Sequence, residues 1–368
     1  MKKISQARRI WSTRRARKIF KRIYWRKRKS IKANKESRLS TSFKRPPFVS
    51  VYMPSVISIG RDQERTSFLE ALDALRVLAC KDEKNIVLDF SATRHIAADG
   101  MLLLYAELLR LKRHLGSKIS VRCRLPENSV SRKNKFLDSD AVKVAEVLKH
   151  VGILDLLGNS SKIMPSREDV IHWKIAHGSK SQGSKTEPLL KVVDDLLGKM
   201  VSRKFYTGLT EAMTNSYHHA YSDIREDGLN IENDGGWWMF SQVKDKVLSI
   251  LICDLGIGIP RSLPRTNNSW IMQLEKRRFI QADSLAIEYA TRHGSTSTDL
   301  LNRGKGLKKM VQLVKDVPNS SLVIYSNSGA FYSGKSREIG GFVQKDFKKS
   351  ILGTLVYWQV ELRDTGVA

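Results

Sequence analysis

The sequence predicts an α+β protein of three parts: a basic arm over residues 1–48, an α/β domain over 49–160 and a second α/β domain over 161–368. Three observations carry this. The chain has 368 residues of which 41% are hydrophobic, enough for two cores. Short continuous apolar runs, such as Asn85–Phe90 and Val247–Cys253, alternate with segments whose apolar residues recur at helical spacing. The charge is lopsided: of a net +28, about +18 lies in residues 1–45, which hold 19 Lys or Arg and one acid, Glu36.

In chain order, Ile10, Trp11, Ile19, Phe20, Ile23 and Tyr24 recur among basic pairs as a basic amphipathic helix, stopped at Pro46-Pro47. Val49–Ile59 reads as a strand or strand pair, Ser67–Cys80 as a helix and Asn85–Phe90 as a buried central strand. A helix at Ala98–His114, a strand at Lys118–Cys123, a loop at Pro126–Asp138 and a helix at Asp140–Leu148 follow. After a linker at Asn159–Asp169, Val170–Ala176 alternates like a half-buried strand, and His177–Pro188 is a Gly/Ser/Lys-rich loop. Leu189–Lys199 and Lys204–Tyr221 read as helices, and Gly236–Gln242 and Val247–Asp254 as an adjacent antiparallel pair. Helices at Asp283–Thr291 and Gly304–Asp316 precede closing strands at Ser321–Ser326, Ala330–Ser333 and Gly353–Leu362.

Cys80, Cys123 and Cys253 are scattered and odd in number, which fits small buried side chains in a reducing compartment better than a disulfide or zinc set. No apolar stretch approaches membrane-spanning length, and no secretory signal core opens the chain. A cytoplasmic protein is expected, with an organellar transit peptide as the alternative for the Arg-rich start.

Three blocks carry chemistry. Glu211, Asn215 and His219 are spaced by four and project together from one helix. A carboxylate beside an amide oxygen suits a hydrated Mg²⁺, and the carboxylate can serve as a general base. Asp254-Leu-Gly256-Ile-Gly258 ends a strand too apolar to be exposed, placing an acceptor beside backbone that a flat ring can approach. Asn302-Arg303-Gly304-Lys305-Gly306 opens a helix, where free N–H groups and the dipole favour phosphate. Each block alone also occurs on ordinary polar helices and tight turns; their order in one chain gives the reading its force.

That order, closed by a strand opening at Gly353-Thr354, resembles the GHKL ATPases, the histidine-kinase-like ATP-binding fold, over about residues 166–363. The bacterial anti-sigma-factor serine kinases are the most similar subgroup. The resemblance implies a two-layer α/β sandwich holding ATP and Mg²⁺. In it, Asn215 would ligand the metal and Glu211 would be the catalytic base. Asp254 would accept from the adenine amino group, Gly256 and Gly258 would make room for the base, and Gly304 and Gly306 would bind phosphates. Arg303 would lie near the terminal phosphate, with Lys305 adding charge; His219 matches the family's histidine, and His218 belongs to the helix surface. The chain departs from that pattern in a longer Pro260–Gly304 segment, which includes Lys276-Arg-Arg278, in an extended tail at Phe331–Lys349, and in a second glycine block one residue tighter. No helical hairpin with a phosphoacceptor histidine precedes the block, and little follows the last strand, which disfavours sensor kinases and ATP-driven clamps.

Residues 49–160 are similar in element pattern to STAS domains, the fold of anti-sigma-factor antagonists. The turn where that family carries a phosphorylatable serine reads Ala97-Ala98-Asp99-Gly100 here, so Ala98 offers no hydroxyl. The unit is therefore expected to be either a docking module responsive to nucleotide or a scaffold, homodimerisation included. The arm is expected to bind polyanions, nucleic acid ahead of anionic membrane; with six to ten phosphate contacts, affinity would fall about 10³–10⁵-fold between 50 and 200 mM salt. Two functions follow: a serine/threonine-type kinase or slow ATPase controlling a protein partner, or a non-catalytic ATP-gated adaptor.

Overall fold

The computed structural model describes residues 47–116, 118–129, 138–159, 163–167, 170, 173–179, 183–229, 231, 235–266, 282–293, 306–334 and 344–362. The arm expected over 1–48 lies almost wholly outside these, as does Lys276–Arg278. The front half contains β1 (Val49–Tyr52), β2 (Val56–Ile57), α1 (Asp62–Cys80), β3 (Ile86–Asp89), β4 (His95–Ile96), α2 (Ala98–Leu115), β5 (Val121–Arg124), α3 (Ser139–His150) and α4 (Ile153–Leu156). The back half contains β6 (Lys174–Gly178), α5 (Glu187–Leu197), α6 (Lys199–Asn215), β7 (Trp237–Lys244), β8 (Val247–Asp254), α7 (Ile259–Thr266), α8 (Asp283–His293), α9 (Gly306–Asp316), β9 (Ser320–Ser326), β10 (Gly329–Gly334), β11 (Gln344–Asp346) and β12 (Thr354–Glu361). The class is α+β, as expected.

Most elements follow local rules. Asp62 and Glu64 sit in the first turn of α1, where the helix dipole favours them. Asp138 caps α3 by accepting from the N–H groups of Asp140 and Ala141. Asp245 and Lys246, both at positive φ, make the two-residue turn that pairs β7 with β8. Some boundaries moved. Gly198, at φ 82°, separates α5 from α6, so α6 begins at Lys199 instead of Lys204. β6 begins at Lys174 instead of Val170, and it takes in His177, expected in the loop.

β1, β3 and β5 form a small parallel sheet with β3 central, beside the two-stranded β2–β4 pair. The back half is one antiparallel seven-stranded sheet, ordered β11-β10-β9-β12-β8-β7-β6. Trp237 and Trp238 are successive residues of β7, and both are fully buried. Because side chains alternate along a strand, this requires cover on both faces. On one face, Trp237, Ile250, Ile252 and Trp358 pack with Phe205, Leu209 and Met213 of α6 and Met310 of α9. On the other, Trp238, Phe240, Leu251, Cys253 and Tyr325 share a core with Phe68, Leu72 and Met101 of α1 and α2. The hydrophobic core thus runs across the expected boundary near residue 160, and residues 47–368 form one compact unit.

A buried charge cluster crosses the same seam. Glu107 of α2 accepts from Nη2 of Arg76 (α1) and Nη2 of Arg225 (the loop after α6), each at 2.5 Å. Arg110 pairs with Asp227 at 2.7 Å, and Arg225 Nε donates to Leu352 O at 2.7 Å. Burial alone would raise the Glu107 carboxyl; the guanidinium groups of Arg225 and Arg76 outweigh it and hold it well below the usual carboxylate range.

Candidate nucleotide site

The strand pattern aims Asp254. It shares parity with Ile250 and Ile252 on β8, so it points to the helix-covered face, under α6. β7 and β12 flank it in register at Trp237 and Thr354. Its Oδ1 accepts from Gly256 N at 3.0 Å and Thr354 N at 3.3 Å. No donor among the described residues reaches Oδ2. Burial raises the carboxyl to about 6 against the pull of those two N–H groups.

An open cleft lies above it, lined by Asn215, His219, Asp254, Gly258, Gly306 and Thr354 among others. Residues far apart in sequence meet tightly here. A Cβ on Gly306 would stand 2.8 Å from Glu211 Oε2 and 3.2 Å from Asn215 Nδ2. The first residue of α9 thus packs on the side chains of Glu211 and Asn215 near the end of α6. The free N–H groups and positive dipole end of α9 therefore open onto the cleft beside a carboxylate and an amide.

The helix carrying Glu211 and Asn215 was expected to continue regularly to Tyr221. It changes instead to a π turn over Ser216–Ala220. The wider turn delivers Ala220 O to Ile257 N at 2.7 Å, locking the end of the helix to the loop after β8. His219 keeps its place on the cleft, while His218 is exposed. Gly256 sits under this junction: a Cβ there would stand 2.1 Å from Ala220 O, a backbone atom. Gly256→Ala is expected to lower stability by about 1–3 kcal/mol, toward the upper end. A thermal unfolding curve coincident with that of the parent protein would remove this packing argument.

No protein-family model matches the chain, and no curated protein matches it. The site therefore rests on its own geometry.

Of the ten residues expected at the site, Asn215, His219, Asp254, Gly258 and Gly306 line the cleft, Glu211 lies against Gly306, and Gly256 packs on Ala220 instead of facing the cleft. Arg303, Gly304 and Lys305 lie outside the described residues. Sequence reasoning missed Lys309, one turn into α9, whose Nζ lies 2.5 Å from Glu211 Oε1. It also missed the apolar wall made by Leu263 of α7, Ala290 of α8 and Leu307 of α9. Only the spacing of Lys309 from Gly306 on one helix face was visible beforehand. Among the described residues no group of three or more His, Cys, Asp or Glu is placed to hold a metal ion by itself. An amide and one carboxylate at the mouth of a phosphate-sized helix N-terminus fit a cation that arrives with a polyphosphate and keeps water ligands.

Proposed function

We propose that the back half is an ATP-binding domain of the GHKL type, and that the chain uses Mg-ATP as a serine/threonine-type protein kinase or slow ATPase switch controlling a protein partner. The observation that supports this most is the convergence of Asn215, Asp254 and Gly306 on one cleft, with Glu211 lying against Gly306 at its edge. Asp254 Oδ2 accepts from the adenine amino group. Gly258 lines the cleft where the base lies, while the missing side chains of Gly256 and Gly258 make way for Ala220 and Asn327 instead of the base. The N-terminus of α9, with Gly304 and the charge of Arg303 and Lys305, takes the phosphates. Asn215 would hold Mg²⁺, which would neutralise charge on the phosphate oxygens. His219 borders the same wall. Glu211 takes the proton of an attacking water or hydroxyl.

Glu211→Ala is expected to cut phosphate release about 10²–10⁴-fold while nucleotide affinity changes by only a few-fold. Unchanged turnover in that variant removes Glu211 from the role of base.

One observation favours the second reading, a non-catalytic ATP-gated adaptor. Lys309 holds Glu211 Oε1 in an ion pair at 2.5 Å, so the carboxylate already has a protein partner. On this reading residues 1–45 target the chain to nucleic acid, with an anionic membrane surface as the competing anion. Phosphate release by the full chain, with and without DNA or RNA, separates the two. In either case the front half acts as a STAS-like module docked on the sheet: Ala98, at the start of α2, is buried, and so is Asp99. No helix among the described residues is long and apolar enough to cross a membrane; a cytoplasmic location is part of the proposal, and a homodimer is compatible with it.

A further inference from the structure

We infer that Arg65, on helix α1 of the front half, is a positioning residue for the wall of the cleft that reads the base, acting through Asn327. This rests on the nucleotide reading above and extends it to a residue far from the cleft motifs.

Arg65 is fully buried at the seam, with its guanidinium stacked 4.2 Å over the Phe347 ring. Among the described residues no carboxylate is hydrogen-bonded to it. Each of its three nitrogens donates instead to a carbonyl on a separate segment: Nη1 to Ile59 O at 3.3 Å, Nη2 to Asn327 O at 2.7 Å and Nε to Lys349 O at 2.9 Å. Burying a guanidinium on neutral acceptors is costly, and an apolar side chain of similar volume would pack as well. What arginine adds is a rigid fork that fixes three backbones relative to one another.

Asn327 is the useful one of the three. It sits in the β9–β10 turn at φ 50°, a conformation asparagine tolerates. Its Nδ2 donates to Ile257 O at 2.9 Å, and its Oδ1 accepts from Gly353 N at 3.2 Å. Its own N–H donates to Gly353 O at 3.0 Å. One side chain therefore ties the Asp254–Gly258 loop to the Gly353–Thr354 turn, and Thr354 N is one of the two donors that orient Asp254. Gly258 lies directly on the Asn327 amide. The front half thus reaches the base-reading wall in two hydrogen-bonded steps, Arg65 to Asn327 and Asn327 to Ile257, without touching the phosphate side, which belongs to α6 and α9.

That asymmetry makes the test specific. The full-length chain and its Arg65→Met, Arg65→Lys and Asn327→Asp variants are titrated calorimetrically with Mg-ATP, Mg-GTP and magnesium tripolyphosphate. Arg65→Lys keeps charge and stem but replaces the three-pronged fork with a single ammonium. Asn327→Asp keeps the acceptor for Gly353 and loses the donor to Ile257. Both are milder than Arg65→Met. Each variant is expected to lose about tenfold in ATP affinity, the loss of roughly one hydrogen bond's alignment, while tripolyphosphate affinity holds, so that the preference for ATP over GTP shrinks. The inference is overturned if ATP and tripolyphosphate affinities fall together, as general destabilisation would make them, or if base preference is unchanged. If the parent chain takes up no ATP, it is the nucleotide reading itself that fails.

Discussion

Glu107→Gln is expected to lower the free energy of unfolding by about 3–5 kcal/mol, the cost of leaving a buried cation without its counter-charge. The Glu107 carboxylate is fully buried and is the shared acceptor of Arg76 and Arg225, while its Oε2 lies 3.7 Å from Arg110. Glutamine keeps the shape and one acceptor but removes the charge. The seam would then hold three arginines against Asp227 and the more exposed Asp73. Urea denaturation should show a lower midpoint at an unchanged slope, because the surface exposed on unfolding is the same. The pH dependence has a definite sign. Glu107 titrates far below its ordinary 4.5 in the folded chain, so its contribution is complete above that value and drains away as the pH falls below it. The gap between parent and variant should therefore narrow in acid. Equal midpoints at neutral pH would show that the cluster does not hold the halves together.

Asp254→Asn should act in opposite directions on binding and stability. An amide in place of Oδ2 presents a donor to the adenine amino group, so a charge-assisted hydrogen bond worth about 1.5–3 kcal/mol is lost and affinity drops about 10- to 150-fold. Burial raises this carboxyl to about 6, which means that ionising it in the folded protein is unfavourable. Its contribution to stability is fully present below the ordinary 3.8 and is lost as the pH rises through about 6. At pH 7 the asparagine variant should consequently be more stable than the parent, by up to about 2 kcal/mol after allowance for water in the cleft. ATP affinity of the parent should weaken as the pH falls below about 6, and the variant should lack that limb. A variant that binds ATP as tightly as the parent, or is less stable at pH 7, contradicts the placement of this carboxylate.

Much of the back half was legible because its signals are local. The run Val247–Cys253 reads as a strand from its length and β-branched content, and the two-residue turn before it predicts its partner β7. Helices α5, α6 and α9 announce themselves by period. Elements of two or three residues, β2, β4 and β11, are too short to show a period at all. Helix α7 was hidden by its two prolines: Pro260 is in the first turn, where proline is tolerated, but Pro264 lies inside the helix. The π turn at Ser216–Ala220 has no composition signal, since its wider hydrogen-bond register answers to a contact with Ile257 from another element.

The candidate site divides the same way. Glu211, Asn215, Asp254 and Gly306 were picked out because acids, amides and glycines at motif spacing are rare enough to notice. Lys309 and Asn327 were not, because a lysine on a basic helix and an asparagine in a hairpin turn are ordinary until their partners are known. The linker at 159–169 suggested two separate bodies, yet Trp238, Phe240 and Tyr325 bury themselves against α1 and α2.

Periodicity along the chain, set by steric rules that act over a few residues, determined which segments are strands and helices and which short blocks carry acids and glycines. The tertiary structure alone decided that both faces of the large sheet are covered, that α9 meets α6 at Gly306, and that an arginine of the front half reaches the loop after β8. Hydrophobic patterning records that a side chain is buried; the identity of what buries it depends on contacts between residues far apart in the sequence, and those exist only once the chain has folded.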